Sequence, residues 1–147
     1  MTERRFPLRA VQELAEFREA AAGRLVNLSA AQLAEARNKA DVLRGYRDQY
    51  AQQLMETGAG GVDPGRWRDT LAFIARIDEA LKQQVVEIER LEDAWRHAVG
   101  EWQDRTRDLR RYGVLEQRHD DRLATVDRRV EQRLADEWST RRRGLGD

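Results

Sequence analysis

The stretch METGAGGVDPG, residues 55–65, interrupts a chain whose apolar residues otherwise recur every three or four positions. It is rich in glycine and ends in Asp-Pro-Gly, residues 63–65, a composition that is typical of a turn. Apolar residues spaced about 3.5 positions apart keep one face of a helix against a partner helix over many turns. One turn between two such segments predicts a helical hairpin.

The apolar row has one irregularity in the first segment. Between Leu28 and Leu33 it shifts by one position, and reading it through Ser29 gives an 11-residue step that locally unwinds a supercoil. Asp78 and Glu92 also fall on the row, where they either fix the register or reflect its drift. The apolar positions of the row are Val11, Leu14, Ala21, Leu25, Leu28, Leu33, Ala36, Ala40, Leu43, Tyr50 and Leu54 before the turn, and Trp67, Leu71, Ile74, Leu81, Val85, Ile88, Trp95, Val99, Trp102 and Leu109 after it.

These patterns predict an all-α fold, an antiparallel two-helix coiled-coil hairpin with a longer C-terminal helix. We expect a helix over about 8–56, a turn over 57–65 and a second helix over about 65–143. Asp63, which precedes a proline, is a good N-cap for the second helix. The whole chain, 1–147, is then a single elongated domain.

Composition excludes several classes of protein. Charged residues make up 37% of the chain and aromatic residues 7%, as in long helices and coiled coils. The 27 basic and 27 acidic residues cancel, which argues against a nucleic-acid partner. Cysteine is absent, so disulfides and thiolate metal sites are excluded. No apolar run is long enough to span a bilayer, and the charged N-terminus does not match a signal peptide, so we expect a cytoplasmic protein without membrane insertion.

The two predicted helices differ in length. Folding back at the turn places Glu56 beside Gly65 and Leu8 beside Gly113, which leaves about 30 residues of the second helix without an internal partner. Isolated helices gain most of their stability from packing an apolar face, so an apolar row on this overhang implies a partner. The apolar residues of the overhang are Leu115, Leu123, Val126, Val130, Leu134 and Trp138.

No pattern in the sequence predicts catalysis, a cofactor or a metal. The glycine-rich turn lacks the Lys-Ser/Thr pair of a phosphate-binding loop and has no strand before it. His97 and His119 lie on one predicted helix and are interpreted as solvated. Most carboxylates have a basic residue three or four positions away, as expected for solvated helix faces. We therefore expect a protein that is not an enzyme.

Aromatic residues give the sharpest signals for binding. Trp138 lies in the overhang, where contact with a partner is the better interpretation. Tyr46 and Tyr50 lie one helical turn apart near the predicted turn, with Phe73 close to them. Tyr50 fits the row and Tyr46 does not, so a core role and a docking role both stay open. The other tryptophans fit the row and are predicted to be core residues: Trp67, Trp95 and Trp102.

Four elements together resemble the FliJ family of flagellar export proteins, over nearly the whole chain. The turn with its Arg-Trp pair and the C-terminal motif are the most specific of them. The elements are an F-x-L opening at Phe6 and Leu8, Leu43-x-x-Tyr46-x-x-x-Tyr50, a glycine-rich turn followed by Arg66-Trp67 and Phe73-Ile74, and Arg129-x-Glu131-Gln132-Arg133-x-x-Asp136-Glu137.

The resemblance implies a stalk-like coiled coil in the flagellar type III export apparatus, located in the cytoplasm and peripherally associated with the inner membrane at the flagellar base. Its implied partners are the hexameric export ATPase, whose assembly it promotes, the cytoplasmic domain of the export gate membrane protein, and export chaperones that it escorts. By position, the gate-binding residues are Leu43, Tyr46, Tyr50, Phe73, Ile77 and Ala80. The residues implied to contact the ATPase ring are Leu123, Val126, Val130, Arg133, Leu134, Glu137 and Trp138.

Two alternative functions agree equally well with the apolar periodicity of the sequence. The stalk protein of a non-flagellar type III secretion system shares the architecture, and a generic dimeric coiled-coil scaffold needs only the apolar repeat. The resemblance favours the flagellar system. These patterns do not predict the stoichiometry of the protein with its partners, the binding affinities, or whether the protein rotates.

Overall fold

The computed structural model of the chain describes residues 4–61 and 63–146. The other residues of the predicted domain, 1–3 and 147, and Val62 of the predicted turn lie outside the described residues. Within the described ranges the chain forms two α-helices and no strand, which confirms the all-α class.

Helix α1 spans Arg9–Gly58, 50 residues, and helix α2 spans Pro64–Leu145, 82 residues. The sequence placed the two helices at about 8–56 and 65–143. Gly45 lies inside α1 without ending it, because a single glycine costs only about 1 kcal/mol relative to alanine and brings no turn residues with it.

Asp63 caps the start of α2, as the sequence predicted. Its side-chain Oδ1 accepts the backbone N–H of Gly65 at 3.3 Å, and its backbone carbonyl accepts the N–H of Trp67 at 3.2 Å. Pro64, the first helical residue, has no N–H to satisfy. The cap therefore satisfies one of the amide groups that a helix leaves unpaired at its N-terminus.

The turn between the helices uses glycine in two ways. The N–H of Gly60 donates to the carbonyl of Thr57 at 3.2 Å, and Gly61 has a φ of 82°, in the left-handed region. The indole of Trp67 lies against Gly58, where an added Cβ would come within 2.8 Å of the ring. The absence of a side chain at Gly58 thus makes room for Trp67.

The chain divides into two compact units. The turn unit is the continuous stretch 22–102, and the terminal unit combines 1–21 with 103–147. In each unit a segment of α1 pairs with a segment of α2 that runs in the opposite direction.

The core of the turn unit consists of two small clusters. Leu33 and Ala36 of α1 pack with Leu91 of α2, and Ala40 packs with Ile77 and Leu81. Ile88 contacts both clusters. Alanine at two of the three α1 positions allows close approach of the helices, and Ala40 is fully buried.

Interhelical ion pairs explain the two acidic residues on the apolar row. Glu92 accepts from Arg37 at 2.9 Å, and Asp78 lies 3.6 Å from Arg47. Higher residue numbers on α1 pair with lower numbers on α2, as antiparallel helices require. Each pair is partly exposed and contributes about 0.2–1 kcal/mol, so its main effect is on the register.

The predicted shift of the row is confirmed. Ser29 is 7% exposed, whereas Leu28 is 56% exposed, so the contact face passes through the serine. The indole of Trp102 packs over Gly23, but Trp67 and Trp95 each keep more than a third of their surface exposed. The prediction that Trp67 and Trp95 are core residues was therefore wrong, because an interface of two narrow helices covers only part of an indole.

Candidate functional site

The six predicted gate-binding residues lie in the turn unit and differ in exposure. We call them the tip surface: Leu43, Tyr46, Tyr50, Phe73, Ile77 and Ala80. Ile77 is buried in the cluster with Ala40 and Leu81, and Leu43 and Tyr50 pack against that cluster. Ala80 is half-buried. These residues hold the two helices together as well as contributing to a surface.

Two aromatic side chains of the tip surface remain accessible. Tyr46 is 53% exposed, and Phe73 is 42% exposed. The ring of Phe73 meets that of Tyr50 edge to face, with centroids 4.8 Å apart and planes at 66°. Tyr50 therefore supports Phe73 from the core side, while Tyr46 stands outside the cluster. This placement separates a structural tyrosine from one that is available for contact.

Gln84 and Glu87, which follow the tip surface along α2, are engaged within the turn unit. The Gln84 side-chain amide donates to the Ala36 carbonyl at 2.9 Å. The Arg90 guanidinium donates to both carboxylate oxygens of Glu87, at 2.6 and 2.9 Å. These hydrogen bonds lower the pKa of Glu87 below its ordinary value.

An open groove at the turn was not predicted from the sequence. It measures about 440 Å³ and lies between Tyr50 and Leu54 on α1 and Arg66 and Trp67 on α2. Arg66 and Trp67 form one of the motifs that resemble the family, and the structure places them in the same groove as Tyr50.

In the terminal unit, the residues that precede α1 contact α2 well beyond the predicted end of the pairing. Phe6 is 9% exposed and lies 5.7 Å from the ring of His119, measured between centroids. Arg4 forms a bidentate ion pair with Asp127, with N–O distances of 2.8 and 3.2 Å. Hydrogen bonding to this carboxylate, and then its charge, raise the pKa of Arg4 above its ordinary value.

These contacts correct the predicted start of the overhang. Gln12 donates to Glu116 at 2.5 Å, so Leu8 cannot lie beside Gly113 as expected. Residues 4–8 are not helical and include a turn before α1, in which the N–H of Arg9 donates to the carbonyl of Phe6 at 3.1 Å. Their contacts with α2 extend as far as Asp127.

The same contacts also change the interpretation of His119. Its Nε2 lies 3.4 Å from the carbonyl oxygen of Arg4, and its ring packs against Phe6. The expectation that His119 is merely solvated was wrong, because the N-terminal residues reach further along α2 than periodicity indicated. His97 is exposed.

The predicted ATPase-contact residues fall on both sides of Asp127. Leu123 is half-buried in the terminal unit, whereas every described residue from 128 to 146 is exposed. Arg133 and Glu137 belong to this exposed stretch. An apolar row nevertheless continues from Val126 into this exposed stretch, and we call it the C-terminal row. Its members are Val126, Val130, Leu134 and Trp138, which are 46–63% exposed.

The described residues contain no arrangement that suggests catalysis. Within 4–61 and 63–146, no three His, Cys, Asp or Glu side chains are grouped to hold a metal ion. No buried side-chain nitrogen or oxygen in these ranges lacks a hydrogen-bond partner. The accessible features are apolar and aromatic side chains on helix surfaces, which favour contacts with other proteins.

Comparison with known proteins agrees with the resemblance noted from the sequence. The family model described as flagellar FliJ protein matches residues 4–144. The chain is 22% identical over 134 residues to the flagellar FliJ protein of Escherichia coli (strain K12), with 91% of each chain covered. The flagellar FliJ protein of Salmonella typhi matches with the same identity and coverage.

No solved structure matches the chain significantly. Among the described residues, neither helix has a stretch long and apolar enough to cross a membrane. Because the family model covers residues 4–144, nearly the full length, the chain belongs to the flagellar FliJ protein family.

Proposed function

We propose that this protein is a non-catalytic stalk of the flagellar type III export apparatus. In this role it promotes assembly of the hexameric export ATPase ring and couples the ring to the cytoplasmic domain of the export gate. Escort of empty export chaperones belongs to the same proposal. Membership in the FliJ family supports the general assignment to flagellar protein export.

The C-terminal row is the observation that carries the stalk proposal. Val130, Leu134 and Trp138 recur every fourth residue on a helix whose residues beyond Asp127 are all exposed. A lone helix of this length is marginally stable in water, and an apolar face without an internal partner indicates an external one. The lumen of an ATPase ring is a surface that would cover such a helix on several sides.

The tip surface supports the second contact, with the export gate. Tyr46 and Phe73 are accessible, and aromatic residues are enriched at protein interfaces. Tyr50, which meets the Phe73 ring edge to face, packs against the cluster around Ala40 and so holds Phe73 in place before binding. A rigid aromatic surface loses little conformational entropy on association.

Deletion of residues 128–147 tests the stalk proposal. The cut falls after Asp127, so it keeps the ion pair to Arg4 and the contacts of Phe6 and Gln12. We expect full helicity of the remaining chain by circular dichroism, and loss of the stimulation of ATP hydrolysis by the cognate export ATPase. A deleted protein that stimulates the ATPase as well as the full chain would refute the proposal.

The same experiment tests the alternative function, that of a generic dimeric coiled-coil scaffold. In that case the deletion reduces self-association, measured by sedimentation, and the full-length protein does not change ATP hydrolysis at all.

A further inference from the structure

The F-x-L opening of the sequence, at Phe6 and Leu8, belongs to a short segment that lies across α2. We call residues 4–8 the strap. Of its five residues, Phe6 is buried and the others are exposed. The strap ends in a turn, in which the N–H of Arg9 donates to the carbonyl of Phe6 at 3.1 Å, and α1 begins at Arg9. The strap is therefore a non-helical element that is distinct from the paired helices.

The strap contacts α2 at two positions that are eight residues apart. The ring of Phe6 lies against that of His119, with centroids 5.7 Å apart, and the guanidinium of Arg4 forms its bidentate ion pair with Asp127. Leu123 lies midway, four residues from each contact, and positions at four-residue steps share one face of a helix. The strap therefore passes over the face of α2 that carries Leu123.

The same face of α2 continues into the C-terminal row. Val126 and Val130 follow Leu123 by three and seven residues, which is the spacing of a single helix face. Val126 and Val130 are 49% and 46% exposed, whereas Leu123 is half-buried. The strap thus covers the beginning of an apolar face whose remaining part has no internal partner among the described residues.

The strap is weakly held on α2. The side chains of Arg4 and Asp127 are 69% and 45% exposed, and an ion pair between such exposed groups changes an equilibrium constant by at most about fivefold. Phe6 supplies the one buried side chain of the strap. Helices α1 and α2 have a contact of their own through Gln12 and Glu116, so the strap can leave without separating them.

We propose that the strap competes with the export ATPase for this face of α2, and that it leaves Leu123 when the ring binds. The proposal rests on the proposed stalk function and adds a contact surface that is hidden in the free protein. A protein whose binding face is uncovered only part of the time binds in proportion to that fraction, so the strap lowers the apparent affinity for the ring. Burial of a leucine side chain against a partner is worth at least about tenfold in affinity, which a strap that cannot leave would withhold.

A cross-link that keeps the strap on α2 is the most direct test. The chain contains no cysteine, so Arg4→Cys/Asp127→Cys places the only two thiols of the protein at the two ends of the ion pair. A short bismaleimide joins them, and the full-length protein is assayed for stimulation of ATP hydrolysis by the cognate export ATPase. The reference is the same variant capped with a monofunctional maleimide. We expect half-maximal stimulation to need at least about tenfold more cross-linked than capped protein.

Arg37→Cys/Glu92→Cys is the matched control. It replaces an interhelical ion pair of the turn unit, with 2.9 Å between the charged atoms, and its cross-link leaves the strap free. This protein should reach half-maximal stimulation at the same concentration whether it is cross-linked or capped. Circular dichroism should show the same helicity for both cross-linked proteins.

Charge substitutions test the strap without a cross-linking reagent. Arg4→Asp loosens the strap by repulsion from Asp127, so half-maximal stimulation should need about two- to fivefold less protein than for the parent. Asp127→Arg loosens the strap in the same way, and the exchanged pair Arg4→Asp/Asp127→Arg restores the attraction. Because the last two proteins have the same α2 surface, the exchanged pair should need about two- to fivefold more protein than Asp127→Arg alone.

Equal stimulation by the cross-linked and capped strap proteins would overturn the proposal, because the ring would then bind with the strap in place. An equal loss in the cross-linked control would also overturn it, since the loss would not depend on the strap. Weaker stimulation by Arg4→Asp than by the parent would make the strap a support of the stalk and not a competitor. Absence of stimulation by the parent protein would instead contradict the stalk function itself, and the proposal with it.

Discussion

Tyr46 and Tyr50 show how two similar residues, one helical turn apart, take different roles. The ring of Tyr50 packs edge to face on Phe73 and contacts the cluster around Ala40, whereas the ring of Tyr46 is mostly exposed. Periodicity placed only Tyr50 on the apolar row, in agreement with its packing, but the sequence left a core role and a docking role open for both tyrosines. The accessibility of Phe73 could not be predicted from the sequence, because it depends on the angle at which its ring meets Tyr50.

Replacing Tyr46 by alanine should affect binding and not folding. We expect the free energy of unfolding to change by less than about 0.5 kcal/mol, as for most surface substitutions. Binding to the cytoplasmic domain of the export gate should weaken by about 2 kcal/mol, roughly thirtyfold, if the side chain is central to the contact. Isothermal titration with the gate domain measures the change. Met55→Ala, at a residue that is 77% exposed, is the control and should bind normally.

Replacing Tyr50 by alanine should act on stability. Loss of the aromatic pair and of its packing on the core should cost about 1–2 kcal/mol, measured by urea denaturation. A Tyr50→Ala protein as stable as the parent would show that the ring contact with Phe73 contributes nothing to the fold.

At the scale of elements, a glycine inside a helix and a glycine in the turn should respond in opposite ways to substitution by alanine. Gly45 lies in the interior of α1, and an added Cβ there would meet no atom within 4 Å. Gly61 has a φ of 82°, where a side chain is strained. Gly45→Ala should therefore stabilise the protein by up to about 1 kcal/mol, and Gly61→Ala should destabilise it by about 1 kcal/mol.

Thermal unfolding followed by circular dichroism distinguishes these two variants. Shifts of about 2–4 °C in opposite directions are expected for a chain of this size. Shifts of the same sign would contradict the described backbone of the turn.

The paired length of the terminal unit gives another element-scale prediction. Deleting residues 116–147 removes Glu116, His119 and Asp127, the partners of Gln12, Phe6 and Arg4. Amide hydrogens of residues 9–21 should then exchange faster, because this segment loses its packing. Deletion of 128–147 should leave their exchange unchanged, as measured by mass spectrometry.

The helices and their turn were predictable because glycine, proline and the capping Asp63 mark the break directly. The register of the two helices near the termini was not predictable from the sequence. The distance that residues 4–8 cover along α2 depends on contacts such as that of Arg4 with Asp127, two residues that are 123 positions apart in the chain. Apolar spacing carries no information about such a polar contact. The ion pairs of Asp78 and Glu92 were missed for the same reason.

At the scale of the whole molecule, the proposed partners correspond to different units. The tip surface belongs to the turn unit, and the C-terminal row belongs to the terminal unit. Substitutions in one surface should therefore leave binding at the other unchanged, since sites without shared contacts behave independently. The Tyr46→Ala protein should stimulate the ATPase normally while binding the export gate roughly thirtyfold more weakly.

The most direct test of the central claim, that the C-terminal row contacts the export ATPase, uses two variants of unchanged length. Leu134→Ala/Trp138→Ala removes apolar residues of the row, and Gln132→Ala/Ser139→Ala makes the same number of changes on the opposite face of the helix. The measurement is the rate of ATP hydrolysis by the cognate export ATPase with each variant, at matched helicity. The account predicts that the first variant loses the stimulation and the second retains it. Full stimulation by Leu134→Ala/Trp138→Ala, or equal loss in both variants, would contradict it.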